Sequence, residues 1–433
     1  MAPNRPRHKV SRHKGSMDAV AALAARSSMD RREFLKRLGL TGALLTGGPA
    51  FLAACGVDTA ETTTTAAAGS STTAAAGSST TAAAMTTELN IANWPFYIDV
   101  LEDGWFDTTS LEDFMAATGI NVNYFEEVND NDEFFGKYQA PLSQGQNIGR
   151  DIAVLTDWMA ARFIRLGWTE EFNYDNIPNA VNLVDALKSP GFDSARKYTL
   201  PWQSGLTALG YDPNATGREL TSINDIFDPA FAGKVTMLTE MRDTVGLVML
   251  GMDIDPSTAT VDDAKAATDK MQKAVDDGQI RAFTGNEYTA DLASGDAWVS
   301  FAWSGDVIQL QADNPDLKFV VPEEGAMLWS DNMLIPKGAE NKHNAEIYMN
   351  DVYDPRVAAK IESWVNFICP VKGAQQAMRD LGAEIEDEDL VALADDPLIF
   401  PSDADLANTH IIKDLNEDEE TEWNTLFQAV LGA

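Results

Sequence analysis

Aromatic or acidic side chains cluster at five points of the sequence, and these residues could bind a charged ligand. The segments are Asn93-Trp94-Pro95-Phe96-Tyr97, Thr156-Asp157-Trp158, Glu240-Met241-Arg242-Asp243, Trp303-Ser304-Gly305-Asp306 and Trp329-Ser330-Asp331. Indole and phenol faces attract a cation by ~0.5–2 kcal/mol each. Carboxylates between them form charge-assisted hydrogen bonds with ammonium groups. The pattern predicts a site for an elongated molecule with two or more amines.

Each segment also has a purely structural interpretation. A tryptophan at a strand end commonly packs in the core. Glu240 and Asp243 suit the first turn of a helix, with Thr239 as its N-cap. Arg242 is expected to pair with a neighbouring acid at the surface.

Common motifs of enzymes, nucleotide sites and metal sites are missing from the sequence. There is no GxGxxG, GxxxxGK[ST], HExxH or GxSxG, and only His343 and His410 follow residue 54. We therefore expect no catalytic residues, no cofactor and no metal. Two carboxylates could still perform acid–base chemistry, so an exported enzyme stays an alternative.

Strands precede most of these segments. In the first half, strands at 89–94, 120–125 and 151–155 alternate with helices at 111–118, 134–142 and 158–166. In the second half, strands at 206–211, 234–238, 298–303, 318–321 and 327–335 are interspersed with helices at 240–250 and 261–277, and helices at 344–352, 355–364 and 417–431 follow. This alternation predicts an α/β fold of two lobes, each a mainly parallel sheet flanked by helices, joined by hinge crossings. Ligands collect at the carboxyl ends of such strands, in the cleft.

The N-terminal residues 1–54 are predicted to be an export signal. Arg31-Arg32 before Phe34-Leu35-Lys36 is typical of the twin-arginine route, and the apolar run 38–52 is too short for a membrane span. The run ends in Leu52-Ala53-Ala54-Cys55, which is similar to a bacterial lipobox with a lipid on Cys55. Residues 55–87, rich in Thr, Ala, Ser and Gly, are predicted to form a flexible linker.

The net negative charge of the chain argues against a nucleic-acid partner. The chain has 32 basic and 67 acidic residues, and the first 54 residues hold ten of the basic and three of the acidic ones. A chain this acidic repels nucleic acid and attracts cations. Cys369 is the only other cysteine, so no intramolecular disulfide is expected once Cys55 is lipidated.

The stretch from about residue 88 to 380 resembles the spermidine/putrescine-binding proteins of ABC importers. The similarity lies in LNIANWPFYI, DIAVLTDWMAARFIRLGW, LPWQSGLTALGYDP, FAGKVTMLTEMRDTVGLVML and SFAWSGDV, and above all in PEEGAMLWSDNMLIPKGAEN. The resemblance implies a two-lobed periplasmic-binding-protein fold that closes on a polyamine and delivers it to a permease.

The resemblance also implies individual ligand-binding roles. The positions are Trp94, Tyr97, Thr156, Asp157, Trp158, Glu240, Asp243, Trp303, Trp329, Asp331 and Phe367. The sequence departs from the family at Pro95, at Phe367 where the family commonly has Tyr, and at the added acids Asp157 and Asp306. These departures leave open another cationic solute as the ligand.

The resulting prediction is a lipid-anchored, monomeric solute-binding protein in the periplasm or at the outer face of the cytoplasmic membrane. Its partners are a polyamine, an ABC permease with its ATPase, and the membrane through the lipid. Residues 88–200 plus 330–395 are predicted to form lobe 1, and 201–329 plus 396–433 lobe 2.

Overall fold

A computed structural model describes residues 87–101 and 105–432 of the 433-residue chain. The predicted export signal, Cys55 and all but the last residue of the predicted linker lie outside these described residues. No described helix has the length and apolar character that crossing a membrane requires.

Three strands and three helices alternate in the first part of the fold. They are β1 (Glu88–Asn93), α1 (Ser110–Thr118), β2 (Asn121–Glu126), α2 (Asn131–Ser143), β3 (Ile152–Thr156) and α3 (Asp157–Arg165). Thr109 begins α1 with a capping box to Glu112, and Gly119, at a φ of 73°, ends it. Because α3 begins directly after β3, the residues at this junction are held at the carboxyl end of the strand.

The second part contains seven strands or strand segments and five helices. They are β4 (Thr199–Tyr211), α4 (Pro213–Thr216), β5 (Val235–Leu238), α5 (Met241–Leu250), α6 (Val261–Asp276), β6 (Ile280–Thr284), α7 (Tyr288–Ser294), β7 (Val299–Trp303), α8 (Ser304–Gln311), β8 (Lys318–Val320) and β9 (Ala326–Leu334), with β10 (Thr409–His410) following much later. Short 3-10 turns occur at Tyr174–Asn176, Pro178–Asn182, Asp185–Leu187, Gly191–Asp193, Ile223–Phe227 and Pro229–Phe231.

Helices dominate the C-terminal part. They are α9 (Lys342–Val352), α10 (Pro355–Val365), α11 (Ala374–Glu384), α12 (Glu388–Leu393) and α13 (Glu417–Leu431). The last of these begins with a capping box between Asn416 and Glu419, and four acids occupy its first turn, where the helix dipole favours them.

The strands of the described residues form one continuous sheet in the order β2-β1-β3-β9-β4-β7-β5-β6. β2, β1 and β3 are parallel to one another, as are β7, β5 and β6. β9 and β4 lie between these two groups and are antiparallel to each other, to β3 and to β7. Off this order, β8 pairs antiparallel with β4, and β10 pairs parallel with β9. Two parallel groups are therefore joined by two long antiparallel strands.

Apolar side chains collect into two large clusters among the described residues. The first draws on 89–202 and 333–394, and the second on 209–327 and 423–430. We call the parts built around these clusters the first lobe and the second lobe. β4 begins in the first cluster with Leu200 and Trp202 and ends in the second with Leu209 and Tyr211, so it crosses between the lobes. The lobe limits given by the sequence stay a prediction.

The structure differs from the sequence prediction at several elements. β4 begins at Thr199 and not at Leu206, since the strand continues through Pro201 with a register shift between Pro201 and Gln203. The N-cap of α5 is Glu240, whose side chain accepts from the Arg242 backbone N–H, and the prediction of Thr239 is wrong. The elements that were not predicted are α4, β6, α7, α8, α11, α12 and β10.

Candidate functional site

A cavity of about 650 Å³ lies between the lobes, where the carboxyl ends of β1, β3, β5 and β7 meet. All eleven residues predicted from the sequence line it: Trp94, Tyr97, Thr156, Asp157, Trp158, Glu240, Asp243, Trp303, Trp329, Asp331 and Phe367. The structure thus brings together side chains that are up to 273 positions apart in the chain. Their role in binding stays a prediction.

Asp331 is held by groups of the first lobe. It stands opposite Thr156 in the antiparallel pairing of β3 with β9, so the Thr156 hydroxyl can donate to Asp331 Oδ1 at 2.7 Å. The Tyr97 hydroxyl donates to Oδ2 at 3.0 Å. Met327, Trp329 and Asp331 alternate along β9, so their side chains lie on one face of the sheet, the face of the cavity.

Asp243 belongs to the second lobe and lies in the first turn of α5. The Trp303 indole N–H donates to Asp243 Oδ2 at 2.9 Å. The backbone N–H of Trp303 donates in turn to the Tyr288 hydroxyl, which donates to Asp306 Oδ2 at 2.6 Å. This chain of contacts fixes the Trp303 ring beside the Asp243 carboxylate.

Glu240 makes only long hydrogen bonds. Its Oε2 accepts from Asn131 Nδ2 at 3.3 Å, and its Oε1 accepts from the Arg242 N–H at 3.4 Å. Asn131 Nδ2 also donates to Thr156 Oγ1 at 2.9 Å, so an unbroken set of contacts leads from Glu240 through Asn131 and Thr156 to Asp331. Glu240 retains capacity to accept from a ligand.

The aromatic rings meet edge to face around the carboxylates. Trp94 of the first lobe and Trp303 of the second lie 6.3 Å apart between ring centroids. Phe367 lies 5.3 Å from Tyr97 and 5.5 Å from Trp329. These rings give the cavity mainly apolar walls, as in most small-molecule sites.

The Trp329 ring needs the glycine opposite it. Gly205 pairs with Trp329 across β4 and β9, and a Cβ atom built on Gly205 would come within 2.3 Å of the indole. Only a residue without a side chain lets the ring lie against the strand. The indole N–H donates to Thr207 Oγ1 at 3.0 Å, which fixes its orientation.

Asp157 is held at the junction of β3 and α3. Its Oδ1 accepts from Asn332 Nδ2 at 2.6 Å, and Asn332 Oδ1 accepts from the Arg196 guanidinium at 2.8 Å. The Arg196 charge therefore acts on Asp157 through one intervening amide.

Burial raises the pKa of the carboxyls in the cavity. Desolvation, with the charge of Asp157 and Asp243 nearby, raises the pKa of Asp331 to about 7 even though Thr156 and Tyr97 hydrogen bonds oppose the rise. Desolvation likewise raises the pKa of Asp157 and of Asp243 to about 6. It raises the pKa of Glu240 well above its ordinary value, and the Asp243 charge adds to this. The site concentrates negative charge without an internal cation to neutralise it fully.

The two lobes touch each other at the edge of the cavity. Thr239 Oγ1 donates to Asp130 Oδ2 at 3.3 Å, and Asn286 Nδ2 donates to Asn129 Oδ1 at 3.3 Å. Together with the bond from Asn131 to Glu240, these contacts join the two lobes beside the cavity.

Sequence reasoning missed several lining residues. Arg242, expected at the surface, is largely buried and lies against Trp158, and it pairs with Glu420 of α13. Residues 411–415 form another part of the wall, opposite Gly191 and Phe192. No periodic pattern marks 411–415, and Glu420 lies 178 positions from Arg242, so only the fold reveals them.

The described part of the chain contains no evident metal-binding site. Within residues 87–101 and 105–432, no group of three or more His, Cys, Asp or Glu side chains is arranged to hold one. Cys369 is buried as a free thiol in the first cluster.

A cavity enclosed by two lobes, with two antiparallel strands crossing between them, defines a two-lobed solute-binding protein. Comparison with known sequences agrees. The chain belongs to the bacterial extracellular solute-binding protein family, which it matches over residues 109–392. The predicted family and the prediction that the chain is not an enzyme are confirmed.

Several relatives are named for the amines that they bind. Spermidine/putrescine-binding periplasmic protein 1 of Haemophilus influenzae is 26% identical over 309 residues, 71% of this chain and 81% of the relative. The putrescine-binding periplasmic protein SpuD of Pseudomonas aeruginosa is 26% identical over 346 residues, 76% and 87% of the two chains. Both relatives are named as periplasmic proteins, and the family to which the chain belongs is described as extracellular.

Solved structures confirm the predicted fold class. A putative spermidine/putrescine ABC transporter protein from Listeria monocytogenes superposes with a TM-score of 0.68, at 24% identity, over 80% of this chain and 99% of that one. A lipoprotein of Treponema pallidum superposes with a TM-score of 0.66, at 18% identity, over 80% and 100% of the two chains.

Proposed function

We propose that this protein captures a polyamine between its two lobes and delivers it to the permease of an ABC importer. The observation that carries the proposal is the excess of carboxylates in the cavity. Among the described residues that line it, seven are acidic (Asp157, Glu240, Asp243, Asp306, Asp331, Asp414 and Glu420), and three are basic (Arg165, Arg242 and Lys413). Such a cavity attracts a multiply charged cation.

The two best-defined carboxylates each lie beside aromatic rings. Asp331 is accompanied by Tyr97 and Trp329, and Asp243 by Trp303. An ammonium group between a carboxylate and an indole face gains a charge-assisted hydrogen bond and a cation–π contact. The methylene chain between two ammonium groups would lie along the apolar ring faces.

Ligand binding also offsets the free-energy cost of ionising buried carboxyls in the cavity. Desolvation by burial raises the pKa of Asp331 to about 7 and that of Asp243 to about 6, and the Arg242 charge offsets only part of the rise at Asp243. An ammonium at hydrogen-bond distance favours the ionised carboxylates. The free energy gained is available only when the lobes have closed, which couples binding to hinge closure.

The proposal is tested by calorimetry on the full chain extracted from membranes in detergent. We expect putrescine or spermidine to bind, and at a hundred times its Kd to stabilise the fold by ~2.7 kcal/mol. Other cationic solutes, among them amino-acid-derived cations, serve as the comparison in the same thermal-shift panel. If one of these solutes binds and neither polyamine does, the ligand of this site is that cationic solute and not a polyamine.

For the anchor, we propose that the twin-arginine signal exports the chain and that a lipid on Cys55 holds it at the outer face of the membrane as a monomer. Residues 55–87 would let the folded part reach both ligand and permease. Cys55→Ser is expected to move the protein from the membrane fraction to the soluble fraction with unchanged polyamine affinity. Retention of Cys55→Ser in the membrane fraction would contradict the lipid anchor.

A further inference from the structure

One aromatic face of the cavity is already covered by a cation of the protein itself. The guanidinium carbon of Arg242 lies 3.9 Å from the centroid of the Trp158 ring, which is stacking distance. Trp158 belongs to the first lobe and Arg242 to the second, and both line the cavity. In the sequence pattern, Trp158 was expected to offer this face to the ligand.

Glu420 of α13 holds this guanidinium in place. Arg242 Nη2 lies 2.7 Å from Glu420 Oε1, and Arg162 Nη2 lies 3.0 Å from the same oxygen. Arg165 Nη2 reaches Oε2 at 3.4 Å. Burial opposes the ionisation of Glu420, but Arg162 and Arg242 outweigh it and lower its pKa. Arg242 is therefore fixed by an ionised partner and is not a mobile surface side chain.

The positive charge at this end of the cavity is carried by arginines, and acids of both lobes lie among them. Three arginines share Glu420, and the one further acid in hydrogen-bond contact with them is Asp132, which accepts from Arg162 at 2.9 Å. Burial lowers the pKa of the Arg242 guanidinium, and the nearby Glu240 charge opposes this change. Glu240 therefore also attracts Arg242. An ammonium group at Trp158 would meet the Arg242 guanidinium, a like charge, on the ring face.

We infer that Arg242 occupies the place of a ligand ammonium group and restricts the site to a diamine, excluding longer polyamines. This inference rests on the proposed function and narrows its ligand class. Two sets of acid and aromatic side chains stay open, one at Asp331 with Trp329 and one at Asp243 with Trp303. Two open sets match two ammonium groups. A third ammonium of a triamine would reach the Trp158 face only by displacing the Arg242 guanidinium.

Arg242 offers one feature that a different ligand could use. Its Nη1 is buried and has no hydrogen-bond partner among the described residues. A ligand with a carboxylate at one end and an ammonium at the other would satisfy this donor. The experiment therefore includes 4-aminobutanoate as a competing ligand of this kind.

The inference is tested by calorimetry with putrescine, spermidine and 4-aminobutanoate on the full chain. The unaltered protein is expected to bind putrescine at least tenfold more tightly than spermidine. Arg242→Gln removes the charge from the Trp158 face and is expected to shift the spermidine-to-putrescine affinity ratio at least tenfold toward spermidine. Arg242→Lys keeps a cation there and is expected to keep the ratio close to that of the unaltered protein.

Arg162→Gln is the matched control. Arg162 shares Glu420 and lies 5.2 Å from the Trp158 ring centroid, but it does not line the cavity, so the ratio is expected to stay unchanged. If the unaltered protein binds spermidine as tightly as putrescine or more tightly, the inference is wrong. It is also wrong if a folded Arg242→Gln protein shows an unchanged spermidine-to-putrescine affinity ratio. In both cases the polyamine function stands. If neither amine binds, or if 4-aminobutanoate binds best, the proposed function itself fails.

Discussion

Asp331→Asn is expected to weaken polyamine binding by roughly 30- to 1,000-fold, the largest loss of any single substitution in the cavity. Removing the charge from one partner of a buried, hydrogen-bonded charge pair costs ~2–4 kcal/mol, and each ~1.4 kcal/mol is tenfold in affinity. Asp331 is only 5% exposed, and both of its oxygens are already oriented by Thr156 and Tyr97. Because the position is buried, an ammonium group there is poorly solvated once the carboxylate charge is removed.

The same substitution is expected to leave the ligand-free fold intact. The amide has the shape of the carboxylate, and its oxygen can still accept from Thr156 or Tyr97. Because burial raises the pKa of Asp331 to about 7, the unaltered protein carries a buried charge above that pH. The amide lacks this charge, so we expect the Tm of ligand-free Asp331→Asn at pH 8 to equal or exceed that of the unaltered protein.

Calorimetry and thermal unfolding on the same samples separate the two effects. Asp351→Asn is the matched control, since Asp351 is another carboxyl whose pKa burial raises to about 6, but it lies outside the cavity lining. It is expected to bind polyamine with unaltered affinity. Unchanged affinity in Asp331→Asn, at a Tm that shows a folded protein, would remove Asp331 from the binding site.

The alternation of strands and helices could be predicted because its local signals are strong. β3 is an apolar run, α1 ends at a glycine with positive φ, and α13 has a capping box, so each is visible within a short window of sequence. β6 was missed because it lies at the end of the sheet order, where Ile280–Thr284 is only partly buried and shows no apolar alternation. α11 was missed although Ala374, Ala377, Met378 and Leu381 recur at helical spacing, so its local signal was present in the sequence.

The site residues that directly follow a strand could be predicted from the sequence. Acids and aromatics after β3 lie at the carboxyl edge of the first parallel group, and those after β5 and β7 lie at the carboxyl edge of the second, so the clustering within each lobe follows from the fold class. The contact of Thr156 with Asp331 depends on the register of β3 against β9, 175 positions apart, and no local pattern encodes it. The stacking of Arg242 on Trp158 depends on how the lobes meet, and it appears only in the folded chain.

Polyamine affinity is expected to fall as the pH is lowered from 8 to 5. A cation binds the ionised carboxylates, but in the ligand-free protein burial raises the pKa of Asp331 to about 7 and those of Asp157 and Asp243 to about 6. Below these values the carboxyls are protonated, so binding must release protons. Each pH unit below a raised pKa costs about tenfold per proton, which gives a loss of roughly 10³- to 10⁴-fold at pH 5.

The ligand does not share in this titration, because aliphatic amines lose their protons only near pH ~10. Calorimetry in two buffers of different ionisation enthalpy counts the protons released at each pH. In Asp331→Asn the release at pH 6 should fall by about one proton, since that group no longer titrates. Because Asp331 is the group with the highest of the three stated pKa values, the variant should also lose most of the pH dependence between pH 8 and 6.5. An affinity that stays constant or rises on acidification would show that these carboxyls do not meet the ligand cation.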